Sequence, residues 1–508
     1  MRRGLGLEAV SPEKEPRSMS VDPRTPVLVG AAAVVQRGED PHQLAEPLDL
    51  MEESGRLAAD DAGSPRLLPE LDRIWATRGF WAYADPGRIL GDRYGAKDVK
   101  TVVAEIGILQ STVLGKACAA IASGESDVAM IVGGEARDRA NRYQRAGEEV
   151  PLTEQADGKP DEVLVPHQEI MGPLEIELGL ITPIIQYSMI DNALRAHEGQ
   201  SLEAHREELG RLWGDFNEVA VENEDAWNRK PLTPEEIVTP GEGNRMLAYP
   251  YTKSLVSQWN VNQAGAVILC SLEKARALGL DESRFVYPLA VVDNEHMVTL
   301  SERRDLWRSP GFANAGARAF EIVGRKPEEI DHFECYSCFP AAVRAQQREM
   351  GIPLDRRVTG TGGMTFGGGP LNNFVIQSWV KMVETMRATP GSYGCVTAVS
   401  GLITKQGVAI FGPEPGAQPF LHDFVTEETE AEQATRSVDG AATGRGRIAT
   451  YTVSHDPNAA HGVAMIIDLD DGRRTMRVVD DPAWMTLGET EELVGRAVEV
   501  TEDGARWV

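Results

Sequence analysis

Residues 123–136 read SGESDVAMIVGGEA and follow directly on KACAAIA at 116–122. Small, strongly helix-forming residues lead into a polar turn, and an apolar run of strand length comes next. The same alternation extends upstream. The runs VLVGAAAVV (27–35), RIWATRG (73–79) and DVKTVVAEIG (98–107) are separated by stretches with a helical period. Apolar runs without polar alternation suit strands covered on both faces, so the chain reads as an α/β protein on a mostly parallel sheet with helices on its faces.

Downstream the alternation stops between about Arg137 and Tyr249. That stretch is polar, rich in Trp, Asn and Glu, and holds helical pieces such as SLEAHREELGRLWGDFNEVAVENE (201–224), which predicts an inserted lobe at about 137–249. The α/β pattern resumes with QAGAVILCSLEKARALG (263–279). A second set then repeats the first in order and type: FVYPLAVVDN (285–294), ANAGARAFEIVG (313–324), IDHFECYSCF (330–339), AAVRAQQREMG (341–351), PLNNFVIQSWVKMVETM (370–386), SYGCVTAVSG (392–401) and QGVAIFG (406–412). Residues 25–283 thus form one half carrying the lobe, and 284–413 a second. Residues 1–24 are polar, charged and punctuated by proline, which predicts a flexible extension. Past Pro413 an acidic linker (DFVTEETEAEQATRSVDG, 423–440) precedes short strands with glycine turns, so 414–508 predicts an additional β-barrel of the OB type.

The totals bound the rest. With 508 residues, 42% hydrophobic and 25% charged, the chain can fill two or three cores. Its apolar runs are too short to cross a hydrocarbon core and residues 1–20 lack the apolar centre of a signal peptide, so a cytoplasmic protein is expected. The five cysteines (Cys118, Cys270, Cys335, Cys338, Cys395) suit a reducing compartment, without disulfides. A net charge of −27 repels nucleic acid and anionic membrane, and a polyanionic ligand needs a local basic pocket. No lysine follows Lys405, which argues against a nucleic-acid groove in the tail.

Four segments, GESDVAMIVGGEA (124–136), PEEIDHFECYSCFPAAV (327–343), GTGGMTFGGGPLNN (360–373) and TKQGVAIFG (404–412), resemble in order and approximate spacing the motif regions of the thiolase superfamily, especially the sterol-carrier-protein-2-type thiolases. The resemblance covers roughly 27–412. The tail is similar to the additional domain of the thiolase-like protein type 1 group, whose members are commonly called acetyl-CoA acetyltransferases. The resemblance implies a thiolase fold, two similar βαβαβαββ halves in five αβαβα layers. It implies coenzyme A or an acyl-CoA as ligand, with no tightly bound cofactor and no metal, and a dimer through the sheet edge as the family habit, with a monomer as the alternative.

Thiolase chemistry needs a cysteine thiolate to take the acyl group, because a thiolate is nucleophilic near neutral pH. Carried over without gaps, the family's position falls on Gly107 in EIGILQSTV (105–113), and a slip of a few residues offers Gln110, Ser111 or Thr112. Cys118 lies among alanines and reads as packing, and Ser111 has no evident partner histidine. The family's oxyanion hole uses a histidine in G-H-P and a water held by H-D-x-F or N-E-A-F. Here those positions read Gly368-Gly369-Pro370 and Tyr336-Ser337-Cys338-Phe339. The proton-transfer cysteine of C-x-G aligns near Ser400 or Gly401, with Cys395 upstream in an apolar strand. The resemblance therefore yields a thiolase scaffold with the catalytic Cys/His/Cys set missing.

Other features have simpler readings. Cys335 and Cys338 have redox or zinc spacing without a second pair, and read as core. Arg137, Arg139, Arg142 and Arg145 open the lobe that lies over coenzyme A in the family, and are the candidate phosphate contacts beside a solvated-face alternative. The glycine run from Gly360 to Gly369 lacks the Lys-Ser/Thr ending of a phosphate loop and reads as backbone approaching a pocket floor.

The expected function is coenzyme A or acyl-CoA binding without thiolase turnover, as a carrier, sensor or subunit with a protein partner. The alternative is a retro-aldolase acting on β-hydroxyacyl-CoA thioesters. Some thiolase-like proteins of steroid side-chain breakdown lack the cysteine and use tyrosines, and Tyr336 stands where one of those would. The second such tyrosine has no counterpart in GGMTFGGGPLNNF (362–374).

Overall fold

The computed structural model describes residues 21–155, 158–456, 459–502 and 504–508; of the extension expected at 1–24, residues 1–20 lie outside the described residues. Arg24 is docked: its guanidinium donates to the carbonyls of Ile121 at 3.0 Å and Ser126 at 2.5 Å.

In chain order, the first half runs β1 (Pro26–Val35), α1 (Pro47–Asp61), β2 (Arg73–Thr77), α2 (Pro86–Tyr94), β3 (Lys100–Ala104), α3 (Gln110–Ser123) and β4 (Val128–Ala136). Then come α4 (Arg137–Ala146), β5 (Glu162–Leu164), α5 (Pro173–Glu177), α6 (Pro183–His197), α7 (Leu202–Glu222), α8 (Pro234–Val238), β6 (Met246–Ala248), β7 (Tyr251–Thr252), β8 (Asn262–Ser271) and α9 (Leu272–Ala277). The second half runs β9 (Tyr287–Asn294), α10 (Pro310–Val323), β10 (His332–Glu334), α11 (Pro340–Glu349), α12 (Phe374–Ala388), β11 (Gly394–Ser400), β12 (Lys405–Gly412), β13 (Leu421–Phe424) and α13 (Thr426–Glu432). The tail adds β14 (Gly444–Ser454), β15 (Gly462–Leu469), β16 (Arg474–Val479), α14 (Pro482–Thr490), β17 (Ala497–Thr501) and β18 (Gly504–Trp507).

The first sheet has the order β1-β8-β4-β2-β3-β5 and the second β10-β11-β12-β9-β13. Between them lie α3 and α12, whose Val113, Leu114, Ala117, Trp379 and Val380 pack against Trp75 and Val267 of one sheet and Val291 and Val396 of the other. α3 leaves only a narrow stripe at Lys116, Ala119, Ala122 and Ser123 exposed, and a helix so largely enclosed must be apolar over most of its surface and carry small residues where neighbours crowd. Gly115 shows why: a Cβ there would stand 2.6 Å from the His422 ring. The Ala-rich stretch before Gly124 is therefore the inner layer of the fold.

Three details bear on the site. First, β5 pairs in parallel with β3, so the outer edge of the first sheet is covered by the chain itself. Second, the stretch expected as an inserted lobe is shared among its neighbours: it supplies β5 to the first sheet and β6 to the tail sheet. Its α6 is sewn to β14 through Thr450 Oγ1 to Met189 O at 2.5 Å, Ser188 Oγ to Thr452 Oγ1 at 2.9 Å and Asn192 Nδ2 to Tyr451 O at 3.0 Å. Third, the acidic linker begins as sheet, because β13 pairs in parallel with β9.

The tail is an antiparallel sheet, β16-β15-β14-β17-β18, with β6 and β7 attached. The described residues show no ladder from β16 to β18, so a closed form of the expected OB-type β-barrel is not seen. β14 divides one edge between two neighbours: its residues 444–447 pair with β17, while Ser454 at its other end pairs with Ala248. Across the opening, Arg477 Nε donates to Thr501 O at 3.2 Å, a side chain standing where a strand bond would be. No helix of the described residues is long and apolar enough to cross a membrane.

Candidate active site

The loop after β3 turns into α3 through Gly107, whose φ of +104° is open to glycine and strained for other residues. Its carbonyl accepts a hydrogen bond from Ser400 Oγ at 3.3 Å, which ties the opening of α3 to the end of β11. Gln110 Nε2 donates to Asn372 O at 3.1 Å, which brings in the loop after Pro370. Before Pro370, Met364 N donates to Ser337 Oγ at 3.1 Å. The Tyr336 ring meets Phe374 edge-on, with centroids 5.9 Å apart. The stretches holding Gly107, Tyr336, Met364 to Phe374 and Ser400 are thus linked to one another and to the α3 N-terminus.

Tyr336 is half-buried, and its hydroxyl has no hydrogen-bond partner among the described residues. Its backbone is fixed on both sides: N donates to Thr397 Oγ1 at 2.8 Å and O accepts from Gln346 Nε2 at 2.8 Å. Burial pushes the phenol up, so it is a neutral donor at physiological pH rather than a base. The glycine positions are crowded. A Cβ on Gly107 would meet Pro166 Cγ at 3.0 Å, one on Gly369 would meet Met364 Cε at 3.2 Å, and one on Gly401 would meet Met297 Cε at 2.7 Å.

All five cysteines are free and buried, and burial pushes each thiol up, Cys338 to about 12. A thiol in that condition supplies no thiolate. Cys118 packs between the two sheets, and Cys335 and Cys338 pack in the core of the second half.

Ser111 is committed elsewhere. Its Oγ donates to Asp293 Oδ1 at 2.6 Å, Thr112 Oγ1 donates to Asp293 Oδ2 at 2.9 Å, and His422 Nε2 lies 2.9 Å from that same Oδ2. The carboxylate stands between serine and histidine, so the imidazole cannot take the serine proton. This arrangement joins α3, β9 and β13, and the sequence hid it because His422 stands immediately before the stretch expected to be a linker. Lys405, also missed, opens β12 directly opposite Ser400.

The four lobe arginines do not converge. Arg137 lies 5.4 Å from the Phe80 ring and 5.7 Å from Trp259. Arg139 is buried and donates to the carbonyls of Leu44 and Pro151, both at 3.0 Å. Arg142 pairs with Asp138 at 2.8 Å, and Arg145 is exposed. Beside Arg137, the buried Glu135 accepts from Phe80 N at 2.6 Å, and burial raises its carboxyl to about 7.

Comparison with solved structures fits this architecture. A monomeric SCP2-thiolase-like protein type 1 from Mycobacterium smegmatis superposes with a TM-score of 0.81 at 27% identity, covering 96% of this chain and all of that one. The chain is an SCP2-thiolase-like member of the thiolase superfamily. The Ltp2-ChsH2(DUF35) aldolase (TM-score 0.56, 19% identity, 78% of this chain and 99% of that chain) shares the thiolase-like fold. So does the dimeric peroxisomal thiolase of Saccharomyces cerevisiae (TM-score 0.54, 16% identity, 78% of this chain and 99% of that chain). These two matches leave about a fifth of this chain uncovered, whereas the match to the M. smegmatis protein runs nearly the full length. No family model matches the chain, and no curated protein matches it.

Proposed function

We propose that this SCP2-thiolase-like chain binds coenzyme A or an acyl-CoA thioester where the motif loops converge, without thiolase turnover. The observation that carries this reading is the state of its thiols: five cysteines, every one buried with its acidity lowered. The glycines support it, since the resemblance puts the family's Cys, His and Cys at Gly107, Gly369 and Ser400 or Gly401, and a side chain at Gly107, Gly369 or Gly401 would meet Pro166, Met364 or Met297. In this reading residues 137–249 are the lobe over the ligand, with Arg137 and the exposed Arg145 as the phosphate contacts. Arg139 and Arg142 are spent on carbonyls and on Asp138. The tail is an OB-like domain opened between β16 and β18.

A second reading, a retro-aldolase on β-hydroxyacyl-CoA thioesters, draws on the unpartnered Tyr336 hydroxyl and on the aldolase among the fold neighbours. A neutral phenol would there donate to an oxygen of the ligand. We also propose a monomer, because β5 covers the sheet edge that a second copy would use, and the M. smegmatis relative is a monomer.

Calorimetric titration with coenzyme A and with medium-chain and steroid-type acyl-CoA thioesters, with products followed by mass spectrometry, tests these readings together. Binding with neither thiolysis nor carbon–carbon cleavage is the expected result. Cleavage abolished by Tyr336→Phe would install the aldolase reading, and thiolysis would overturn the first.

A further inference from the structure

Lys405 is only 5% exposed, yet its ammonium has no hydrogen bond or ion pair with any described residue. Interior lysines without a partner are rare, because desolvating the charge is costly. Its direction follows from sheet register. Ser400 lies directly across the β11–β12 ladder, so both side chains leave the same face, and Ser400 Oγ reaches Gly107 O. Gly407, two residues along, shares that face, and a Cβ there would meet Ser111 Oγ at 1.8 Å and Asp293 Oδ1 at 2.6 Å. Lys405 is therefore aimed at the opening turn of α3, which begins at Leu109 without a side-chain cap.

The charged and titratable groups facing it are Asp293 and Glu295 on and just past β9, and His422 of β13, which shares Asp293. The two carboxylates favour the ammonium, but burial outweighs them and pushes the amine down.

We propose that the ε-amine of Lys405 is the proton-transfer group of the site, acting on the α-carbon of a bound acyl thioester; this rests on the thioester reading above. The Nζ lone pair takes the α-proton, the C–H pair becomes the enolate double bond, and the carbonyl π pair moves to the thioester oxygen. The free N–H groups of the first turn of α3 are the donors at hand for that oxygen. Return of a proton from Nζ, which exchanges with solvent, restores the thioester. The step consumes no oxidant and no second substrate.

The test is deuterium incorporation into acetyl-CoA and octanoyl-CoA in D2O by the full chain, with binding measured separately by calorimetry. Lys405→Arg keeps the charge but does not release the proton near neutral pH. Wild type is expected to exchange the α-position about 100-fold faster than Lys405→Arg. The rate should rise with pH as the amine deprotonates, with a midpoint below the ordinary lysine value of about 10.4. Thermal melting shows whether the variant is folded. Acetylation of wild-type Lys405 by acetic anhydride, read by peptide mass spectrometry across pH, needs no variant and should begin at lower pH than at exposed lysines. Thioester binding with exchange no faster than in Lys405→Arg, or acetylation of Lys405 only where exposed lysines react, overturns the proposal and leaves the binding reading standing. Failure to bind any thioester sinks both.

Discussion

The α3 opening and the Arg344 cluster are both buried and both polar, and they are built in opposite ways. Around Arg344 every charge is answered. Arg344 and Asp191 are fully buried and paired with each other, and Arg344 also meets Glu208 at 3.1 Å and Glu198 at 3.0 Å. Tyr251 donates to Asp191 at 2.7 Å. At the α3 opening, glycines and methionines fill the space, the Tyr336 hydroxyl is unanswered, and Lys405 is unpaired. The first arrangement holds α6 and α7 against α11, and removing any member strands a buried charge. The second leaves the Tyr336 hydroxyl and the Lys405 amine free to meet a ligand.

The sharpest way to break this contrast is Arg344→Met, which leaves Asp191 buried without its cation. Losing one partner of a buried pair costs about 3–5 kcal/mol, so a large drop in the urea midpoint is expected. The same cluster sets an acid limit. The arginines beside Glu208 hold its carboxyl down to about 2, although burial alone would raise it. A depressed carboxyl stabilises the fold above the unfolded value of about 4.3, and that contribution is lost as pH falls through the folded value. Wild type should therefore lose stability between about pH 4.3 and pH 2, and Arg344→Met should lose part of that dependence. A variant as stable as wild type would mean the cluster is solvated rather than buried.

A smaller effect is expected at the other region. Gly107→Cys puts a side chain at φ +104° and 3.0 Å from Pro166 Cγ. Strain of that kind costs about 1–3 kcal/mol. On the proposed reading no thiolysis should appear, because Gly369 and Ser400 or Gly401 still supply neither the oxyanion histidine nor the proton-transfer thiol. Thiolysis by this single variant would show that the motif positions are misplaced.

How much of this was legible in the sequence differs between the two regions for a physical reason. The layered body was readable because buried strands and the inner helix α3 are constrained along their whole length, and the run through SGESDVAMIVGGEA shows that constraint locally. The convergence of Gly107, Tyr336, Gly369 and Ser400 was readable only through the family's motif order. The Arg344 cluster was not readable: Asp191, Glu208 and Arg344 sit on amphipathic helices where charges ordinarily face water, and only packing turns them inward. His422 was hidden by its acidic neighbours, which resemble a linker although Leu421–Phe424 completes the second sheet. Whether the tail's strands close into the expected OB-type barrel was not legible, because strand spacing does not reveal that β14 divides itself between two partners.

The smallest expected effect sharpens the comparison at the edge of the site. Glu135 is 3% exposed and accepts from Phe80 N, with the Arg137 guanidinium near enough to favour its charge. Burial dominates and raises the carboxyl to about 7. A raised carboxyl stabilises the fold fully below the unfolded value of about 4.3, and that contribution is lost as pH rises through the folded value, with a slope of up to about 1.4 kcal/mol per pH unit. Glu135→Gln keeps the acceptor for Phe80 N and removes the titration. The difference in urea midpoint between wild type and variant, measured from pH 5 to pH 8, cancels every other titrating group and should fall steadily against wild type up to about pH 7. A flat difference would mean that Glu135 is ionised throughout, held by Arg137. It would then belong with the Arg344 kind of site, in which each buried charge has its partner.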